Sequence, residues 1–237
     1  MREIPEAHRG LVPENILTTT VAIAGLGHLG SHIALSLRRL GVYAFVLYDG
    51  DVIEERNLGG SLYTNMDIGY YKVRRTDRAI RSIFSRYLVF VGDSHISPND
   101  TLQPAEFYIL ATDDAESRLM IFNCILESAP RPDIWTDPVW IIDARTRAHE
   151  AEVFLVPIRD EEKRDAYREN LKRLVADPTP PVPCHEANLI QTTLHVTGIV
   201  CQIICEILGG NEITSYQYFI NSEKYHIEPL PVSRSYY

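Results

Sequence analysis

Short apolar runs alternate with amphipathic segments along the first two thirds of the chain. The apolar runs are rich in β-branched and aromatic residues, and each ends in glycine or aspartate, as buried strands do. The runs span residues 18–27, 43–51 and 107–114, and the segments with helical periodicity span residues 31–40, 70–86 and 116–129. Strands that alternate with helices predict a mostly parallel sheet with helices on its faces.

The last third of the chain breaks this alternation. The segments that predict strands there are 140–145, 151–156 and 216–221. Residues 159–175 are highly charged and predict either a helix or a mobile segment, and the prolines of 177–183 predict an extended hinge. A long apolar helix is predicted over 186–208, and the residues after 221 predict only a tail.

The fold class that follows is α/β. We expect a Rossmann-like, doubly wound, mostly parallel sheet with additional C-terminal strands and a long C-terminal helix. The length fits one domain over 1–237. Within this domain, the nucleotide-binding core is expected over 15–150. The mobile charged segment, the long helix and a closing strand are expected over 151–237.

Composition and charge argue against several classes of protein. The 237 residues carry a formal charge of -9, which disfavours a strongly basic nucleic-acid-binding surface. The first ten residues are charged and lack the apolar core of a signal peptide. No uninterrupted apolar run approaches the ~20 residues that span a bilayer. The sequence therefore predicts a cytoplasmic protein without a membrane span, and it disfavours nucleic acid as a partner.

The cysteines predict neither a zinc site nor disulfides. They stand at positions 124, 184, 201 and 205, and no two of them form a CxxC pair. Cys201 and Cys205 lie one turn apart on an apolar helix, and Cys124 lies within another, so buried thiols are expected.

A complete GxGxxG motif links the first predicted strand to the first predicted helix. Gly25 permits the turn, Gly27 lets the backbone approach a phosphate, and Gly30 lets the helix pack closely. The motif also holds His28 and Leu29 as candidate contacts. His28 either contacts phosphate or is a tolerated exposed side chain. The context predicts a nucleotide-binding loop at a helix N-terminus.

Further polar residues follow in a fixed order. Asp49 ends the second predicted strand about 20 residues after the glycines, where a carboxylate bonds ribose hydroxyls. Asp51, Asn57 and Lys72 come next, and Thr112-Asp113 ends the third predicted apolar run. This order of motifs resembles the ThiF/MoeB/HesA family, bacterial relatives of ubiquitin-activating enzymes, and in particular short phage-like ThiF proteins.

The resemblance implies a function and a set of roles. The family activates a carboxyl group with ATP and Mg²⁺, usually the C-terminus of a ubiquitin-like or sulfur-carrier protein, and forms an acyl-adenylate. In this chain the glycines would cradle the nucleotide and Asp49 its ribose, with Asp51 and Asn57 along the phosphates. Lys72 would neutralise phosphate charge, and Asp113, after Thr112, would hold Mg²⁺. The family's dimers imply a homodimer. The alternatives are a surface lysine at 72 and a helix N-cap at 113.

One departure from the family pattern concerns an arginine. Many members carry an arginine toward the phosphates where this chain has Gly60, which removes a donor that is costly to replace. Arg145 would supply cationic charge instead, unless it forms a structural ion pair. Arg9 would act from a partner subunit, although its match to the family is poor.

Cys184 is the candidate nucleophile. It follows the proline hinge and precedes a predicted helix, a position that favours the thiolate, and His185 stands beside it. The resemblance implies transfer of the acyl group to such a cysteine as a thioester. The alternative is a structural, half-buried thiol.

Four functions compete. The first is an ATP-dependent adenylyltransferase that acts on a protein or peptide carboxylate. The second is dehydration chemistry on a tRNA-linked carboxylate, which the acidic balance disfavours. The third is a catalytically weak, nucleotide-binding dimeric partner or scaffold, which Gly60 favours. An NAD-dependent dehydrogenase is the fourth, but that chemistry requires neither Asn57 nor Lys72 nor Asp113.

Overall fold

The computed structural model describes residues 4–84, 87–128, 139–177 and 189–232. Its strands are β1 (Thr20–Ala24), β2 (Ala44–Tyr48), β3 (Leu88–Gly92), β4 (Phe107–Leu110), β5 (Trp140–Arg147), β6 (Glu150–Pro157), β7 (Gln217–Asn221) and β8 (His226–Leu230). Its α-helices are α1 (His28–Leu40), α2 (Lys72–Ile83), α3 (Ala115–Ser128), α4 (Glu161–Ala176) and α5 (Ile190–Leu208).

All the strands join one sheet in the order β3-β2-β1-β4-β5-β6-β7-β8. The pairs from β3 to β5 are parallel, and the pairs from β5 to β8 are antiparallel. The strand order reverses between β1 and β4, so the chain turns to opposite sides at that point. In open α/β sheets such a reversal opens a crevice at the carboxyl ends of the strands.

Helices cover both faces of the sheet and bury its apolar side chains. One core lies between the sheet and α1, α2 and α5, and includes Ile33, Val73 and Val200. The other lies between the sheet and α3 and α4, and includes Phe122 and Tyr167. The doubly wound, mostly parallel fold with added C-terminal strands and a long C-terminal helix is thereby confirmed.

Two strands are absent from the sequence-based prediction. β3 lies in a stretch for which no element was predicted, and the expected tail contains β8, so the tail interpretation is wrong there. Both are edge strands, with two of the five residues of β3 and three of the five residues of β8 exposed. Hydrogen bonding to a neighbouring strand makes them strands, because their own sequence of apolar and polar residues does not predict one.

The charged segment and the apolar C-terminal segment are both helical. Of the two alternatives for 159–175, the helix is correct: Asp160 caps α4, and Tyr167 and Leu171 anchor it to the core. α5 would suit a membrane span by length and composition alone. However, it packs on α1, β5 and β6, and a core helix passes the same test.

The described cysteines are buried or half-buried, in line with the expectation for their helices. Cys124 and Cys201 are buried. Burial raises the pKa of Cys201 to about 12, so this thiol is inert at neutral pH. The described residues include no group of three or more potential metal ligands.

Candidate active site

Each glycine of the loop after β1 meets a different steric demand. Gly25 has a φ of +88°, and a Cβ there would lie 2.6 Å from the carbonyl oxygen of Ala111. A Cβ at Gly30 would overlap the carbonyl oxygen of Gly25, so α1 can approach β1 only with glycine at this position. A Cβ at Gly27 would meet no protein atom within 4 Å. Gly27 therefore leaves room for a ligand rather than for the protein.

Asp49 holds the loop from the end of β2. Its two carboxylate oxygens accept the N–H groups of Leu26, at 2.7 Å, and Asp51, at 2.8 Å. Burial raises the pKa of Asp49, and the charge of Lys72 and these two hydrogen bonds oppose that rise. A carboxylate has about four acceptor positions, so two remain for hydroxyl groups of a ligand.

Lys72 begins α2 and points into the same crevice. Its Nζ lies 2.7 Å from Oδ2 of Asp51, and its side chain is only 9% exposed. The surface-lysine alternative is therefore wrong. Asp51 is half exposed, and Nε2 of His95 lies 3.4 Å from its other oxygen. An incoming anion can replace Asp51 as the partner of Lys72 without leaving a buried charge unpaired.

The turn after β4 presents Thr112 and Asp113. Asp114, not Asp113, caps α3, because its carboxylate accepts the backbone N–H and the hydroxyl of Ser117, each at 2.7 Å. The N-cap interpretation of Asp113 is therefore wrong. Asp113 is exposed, and Oγ1 of Thr112 is buried without a hydrogen-bond partner among the described residues.

These segments enclose one cleft of about 300 Å³ at the carboxyl ends of β1, β2 and β4. It is lined by Ala24, Gly25, Gly27, Tyr48, Asp49, Asp51, Lys72, Ser94, His95, Ile96, Ala111, Thr112, Asp113, Asp114, Ser117, Met120 and Ile121. Both apolar and charged side chains line the cleft. The open space at Gly27, the unpartnered hydroxyl of Thr112 and the nearby lysine fit a nucleotide with phosphates.

The cleft offers oxygen donors for Mg²⁺ as well. The ion is usually held by one or two carboxylates together with substrate phosphates, rather than by a cage of protein ligands. Asp113 and Asp51 both line the cleft and are exposed. The donor set therefore fits a magnesium ion that arrives with the nucleotide.

Four predicted contacts do not line the cleft, and one of them is Gly30, which instead lets α1 pack closely on the loop. Oδ1 of Asn57 accepts the N–H of Glu54 at 2.9 Å and so closes a short 3-10 turn. Leu29 is 6% exposed and belongs to the apolar core. The ring of His28 packs on Gly60, where a Cβ would lie 3.0 Å from two ring atoms. Their nucleotide contacts remain predictions.

Arg145 lies beside the crevice within a buried ionic cluster. Its guanidinium contacts Asp143 at 2.6 Å and Asn170 at 3.0 Å. Arg118 of α3 binds the same Asp143 and the carbonyl oxygen of Thr112. Arg145 does not line the cleft, so its geometry supports the structural ion pair, and its catalytic role remains a prediction.

Some residues of the site are missing from the sequence-based prediction. Ser94 and His95 follow β3, and the signal for them was the apolar run at 88–92, which places its carboxyl end beside that of β2. Arg118 does not line the cleft but donates to the carbonyl oxygen of Thr112, and its sequence signal is an arginine in the first turn of the helix predicted after Asp113.

The predictions at positions 184, 185 and 9 are not tested by the part of the chain that the structure describes. Cys184 and His185 lie outside the described residues, so the prediction of a nucleophile at 184 is untested. Arg9 does not line the cleft of its own chain, and its action from a partner subunit remains a prediction.

A match over nearly the whole chain identifies the family, since residues 4–235 match the ThiF family. The chain belongs to the ThiF family. Relatives include the adenylyltransferase and sulfurtransferase MOCS3 of Arabidopsis thaliana, 33% identical over 114 residues, or 46% of this chain and 25% of the relative. Ubiquitin-like modifier-activating enzyme 5 of Rattus norvegicus is 28% identical over 123 residues, or 46% of this chain and 30% of the relative.

Solved structures share the ThiF-type fold. The structure of E. coli MccB with ATP has a TM-score of 0.69 at 16% identity, and the match covers 92% of this chain and 65% of that chain. PaaA has a TM-score of 0.68 at 17% identity, with the same coverage of 92% and 65%. This chain therefore spans about two thirds of these proteins and well under half of the sequence relatives.

Proposed function

We propose that this ThiF-family protein activates a carboxyl group with ATP. The substrate would be the C-terminal carboxylate of a ubiquitin-like or sulfur-carrier protein, or of a peptide. The convergence of the glycine loop, Lys72 and Asp113 on one cleft carries the proposal. Relatives named as adenylyltransferases and activating enzymes support it. MccB has been solved with ATP, and also with AMPCPP together with MccA, which supports a site in this chain that binds a nucleotide beside a second molecule.

The chemistry is transfer of an adenylyl group. A carboxylate oxygen of the substrate attacks the α-phosphorus of ATP, the bond to the bridging oxygen of the β-phosphate breaks, and pyrophosphate leaves with the electron pair. The attack brings two anions together, so cationic charge must offset them. Lys72 supplies this charge once a phosphate has replaced Asp51 as its partner.

The loop and the ribose contact set the position of the nucleotide. The open backbone at Gly27 and the N-terminus of α1 receive phosphate, and the free acceptor positions of Asp49 bind ribose hydroxyls. Asp113, with Asp51 nearby, would hold Mg²⁺. When bound, the ion neutralises phosphate charge and orients the leaving group.

Exchange of labelled pyrophosphate into ATP tests this proposal. The assay is run with and without candidate carrier proteins and peptides, because exchange requires a reversible adenylate. Lys72→Ala and Asp113→Ala should each abolish exchange. Lys172→Ala and Asp165→Ala are matched controls, since both residues form exposed pairs on α4 away from the cleft. Exchange that survives in the cleft variants would overturn the assignment of those residues.

Transfer to Cys184 would be a second step. The thiolate would attack the carbonyl carbon of the acyl-adenylate, a thioester would form, and AMP would leave. A thiol-sensitive conjugate that Cys184→Ser loses and Cys124→Ser keeps is the expected result. Active exchange without any conjugate would exclude this step.

A nucleotide-binding scaffold is the second candidate function. The observation that favours it is Gly60, which leaves the site without the arginine that many ThiF relatives carry. Tight ATP binding without exchange, for every carrier tried, would select the scaffold over the enzyme.

A further inference from the structure

The hydroxyl group of Tyr63 is buried where the glycine loop meets α2. Tyr63 is 4% exposed and does not line the cleft. Its oxygen lies 2.6 Å from the carbonyl oxygen of Leu26, in the middle of the Gly-Leu-Gly turn. It also lies 3.0 Å from Oγ1 of Thr76 and 3.3 Å from the carbonyl oxygen of Lys72, both in the first turns of α2. One atom therefore contacts both elements that face the phosphate side of the cleft.

The protons in this cluster define the direction of each hydrogen bond. Tyr63 has a single hydroxyl proton, and the shortest contact assigns it to the carbonyl oxygen of Leu26. The hydroxyl of Thr76 then donates to the oxygen of Tyr63. Burial raises the pKa of Tyr63, so the hydroxyl keeps its proton and remains a donor.

Leu26 is consequently held on both sides of its peptide unit. Its N–H donates to Asp49 at 2.7 Å, and its carbonyl oxygen accepts from Tyr63. The backbone N–H of Lys72 is fixed in turn by the carbonyl oxygen of Asp51, at 3.0 Å. Without Tyr63, the glycine loop and the start of α2 would lose the hydroxyl that joins them.

We propose that Tyr63 is a positioning residue whose hydroxyl sets the distance between the glycine loop and Lys72. Tyr63 touches no ligand in this role. It acts through Leu26 and the first turn of α2, so that the backbone of Gly27 and the ammonium group of Lys72 meet the same phosphate chain. The role in ligand binding rests on the proposed function, whereas the mechanical coupling can be measured without ATP.

Hydrogen exchange of the ligand-free protein tests the coupling. Tyr63→Phe keeps the ring and removes only the hydroxyl. Amide exchange at residues 25–27 and 72–76 should accelerate about fivefold to tenfold, which corresponds to the loss of one hydrogen bond. Tyr108→Phe is the matched control, since that buried hydroxyl joins Ala105 and Gln103 outside the cleft. Equal exchange in Tyr63→Phe and the wild type would overturn the coupling.

ATP affinity, measured by equilibrium dialysis, tests the consequence. Tyr63→Phe should weaken ATP binding about fivefold when Lys72 is present, and less than about twofold in a Lys72→Ala background, because the hydroxyl acts through the lysine. Thr76→Val, which removes the proton donated to Tyr63, should show the same non-additivity with a smaller effect. Equal losses in both backgrounds would identify Tyr63 as a merely structural residue.

The two hypotheses fail in different ways. A wild-type protein that binds no ATP would overturn the proposed function, and hydrogen exchange would still decide the coupling. Normal ATP binding with unchanged affinity in Tyr63→Phe would overturn the inference alone.

Discussion

Two salt bridges, each built around one aspartate, lie at the carboxyl end of the same sheet, and they serve opposite purposes. Asp51 and Lys72 form a pair at the cleft, in which the carboxylate is half exposed. Asp143 is fully buried between Arg118 and Arg145 and also accepts the hydroxyl of Tyr167, at 2.8 Å. The first pair can exchange partners with a ligand, whereas the second cannot open without unfolding its surroundings. The exposure of the carboxylate, rather than the residue type, separates the two roles.

The largest effect is expected from breaking the buried pair. Asp143→Ala would leave two buried guanidinium groups without their shared partner, and should lower the free energy of unfolding by about 3–5 kcal/mol. Urea denaturation followed by circular dichroism measures this loss. Asp165→Ala, which breaks an exposed pair on α4, is the control and should cost less than about 1 kcal/mol. A loss of similar size in both variants would contradict the distinction.

Lys72→Ala should instead leave stability nearly unchanged and lower activity strongly. The remaining charge on Asp51 stays hydrated, so stability should change by less than about 1 kcal/mol. The rate of pyrophosphate exchange should fall by about 100-fold or more, because a preorganised cation is removed from the transition state. A stability loss as large as that of Asp143→Ala would place Lys72 among the structural residues.

Substitutions of the loop glycines test the same contrast between a ligand-binding role and a structural role within one motif. Gly27→Ala meets no protein atom, so the variant should fold normally and bind ATP about tenfold more weakly, since its methyl group occupies ligand space. Gly59→Ala, which also faces open space but not the cleft, should bind ATP normally. Gly30→Ala should instead fail to fold properly. Dialysis and thermal melting together distinguish these outcomes.

Asp51→Asn should have the smallest effect on stability. Lys72 keeps the charge of the neighbouring Asp49, and the amide oxygen of the new asparagine can still accept from its ammonium group. The loss should therefore be about 0–1 kcal/mol, and it should shrink in 1 M salt. A loss above about 2 kcal/mol would show that Asp51 belongs with Asp143 rather than with the exchangeable pair.

The sequence was sufficient for the parts of the molecule that depend on local pattern. The glycine spacing, the aspartates after apolar runs and the lysine at the start of α2 predicted the cleft and its floor. Asn57 shows the limit of such reasoning. It stands in a family motif, yet in this structure its amide caps a turn, and no spacing along the chain distinguishes a capping amide from a ligand contact.

Long-range partners account for what the sequence could not predict. β3 and β8 are defined by their neighbours in the sheet, and the pocket wall that follows β3 is therefore absent from the prediction. Likewise, nothing in the sequence around Tyr63 predicts partners for its hydroxyl group, because Leu26 and Thr76 reach that group only in the folded chain. The division between Arg118 and Lys72 depends on the exposure of their carboxylate partners, 0% for Asp143 and 51% for Asp51, which periodicity within a single helix does not reveal.

The contact between His28 and Gly60 couples the sizes of the side chains that these two positions can hold together. A Cβ at position 60 would lie 3.0 Å from two ring atoms of His28, so a side chain added there requires the imidazole to shift by a few tenths of an ångström. Gly60→Arg should therefore lower the melting temperature less in a His28→Ala background than in the wild type, a non-additivity that the single and double variants would reveal.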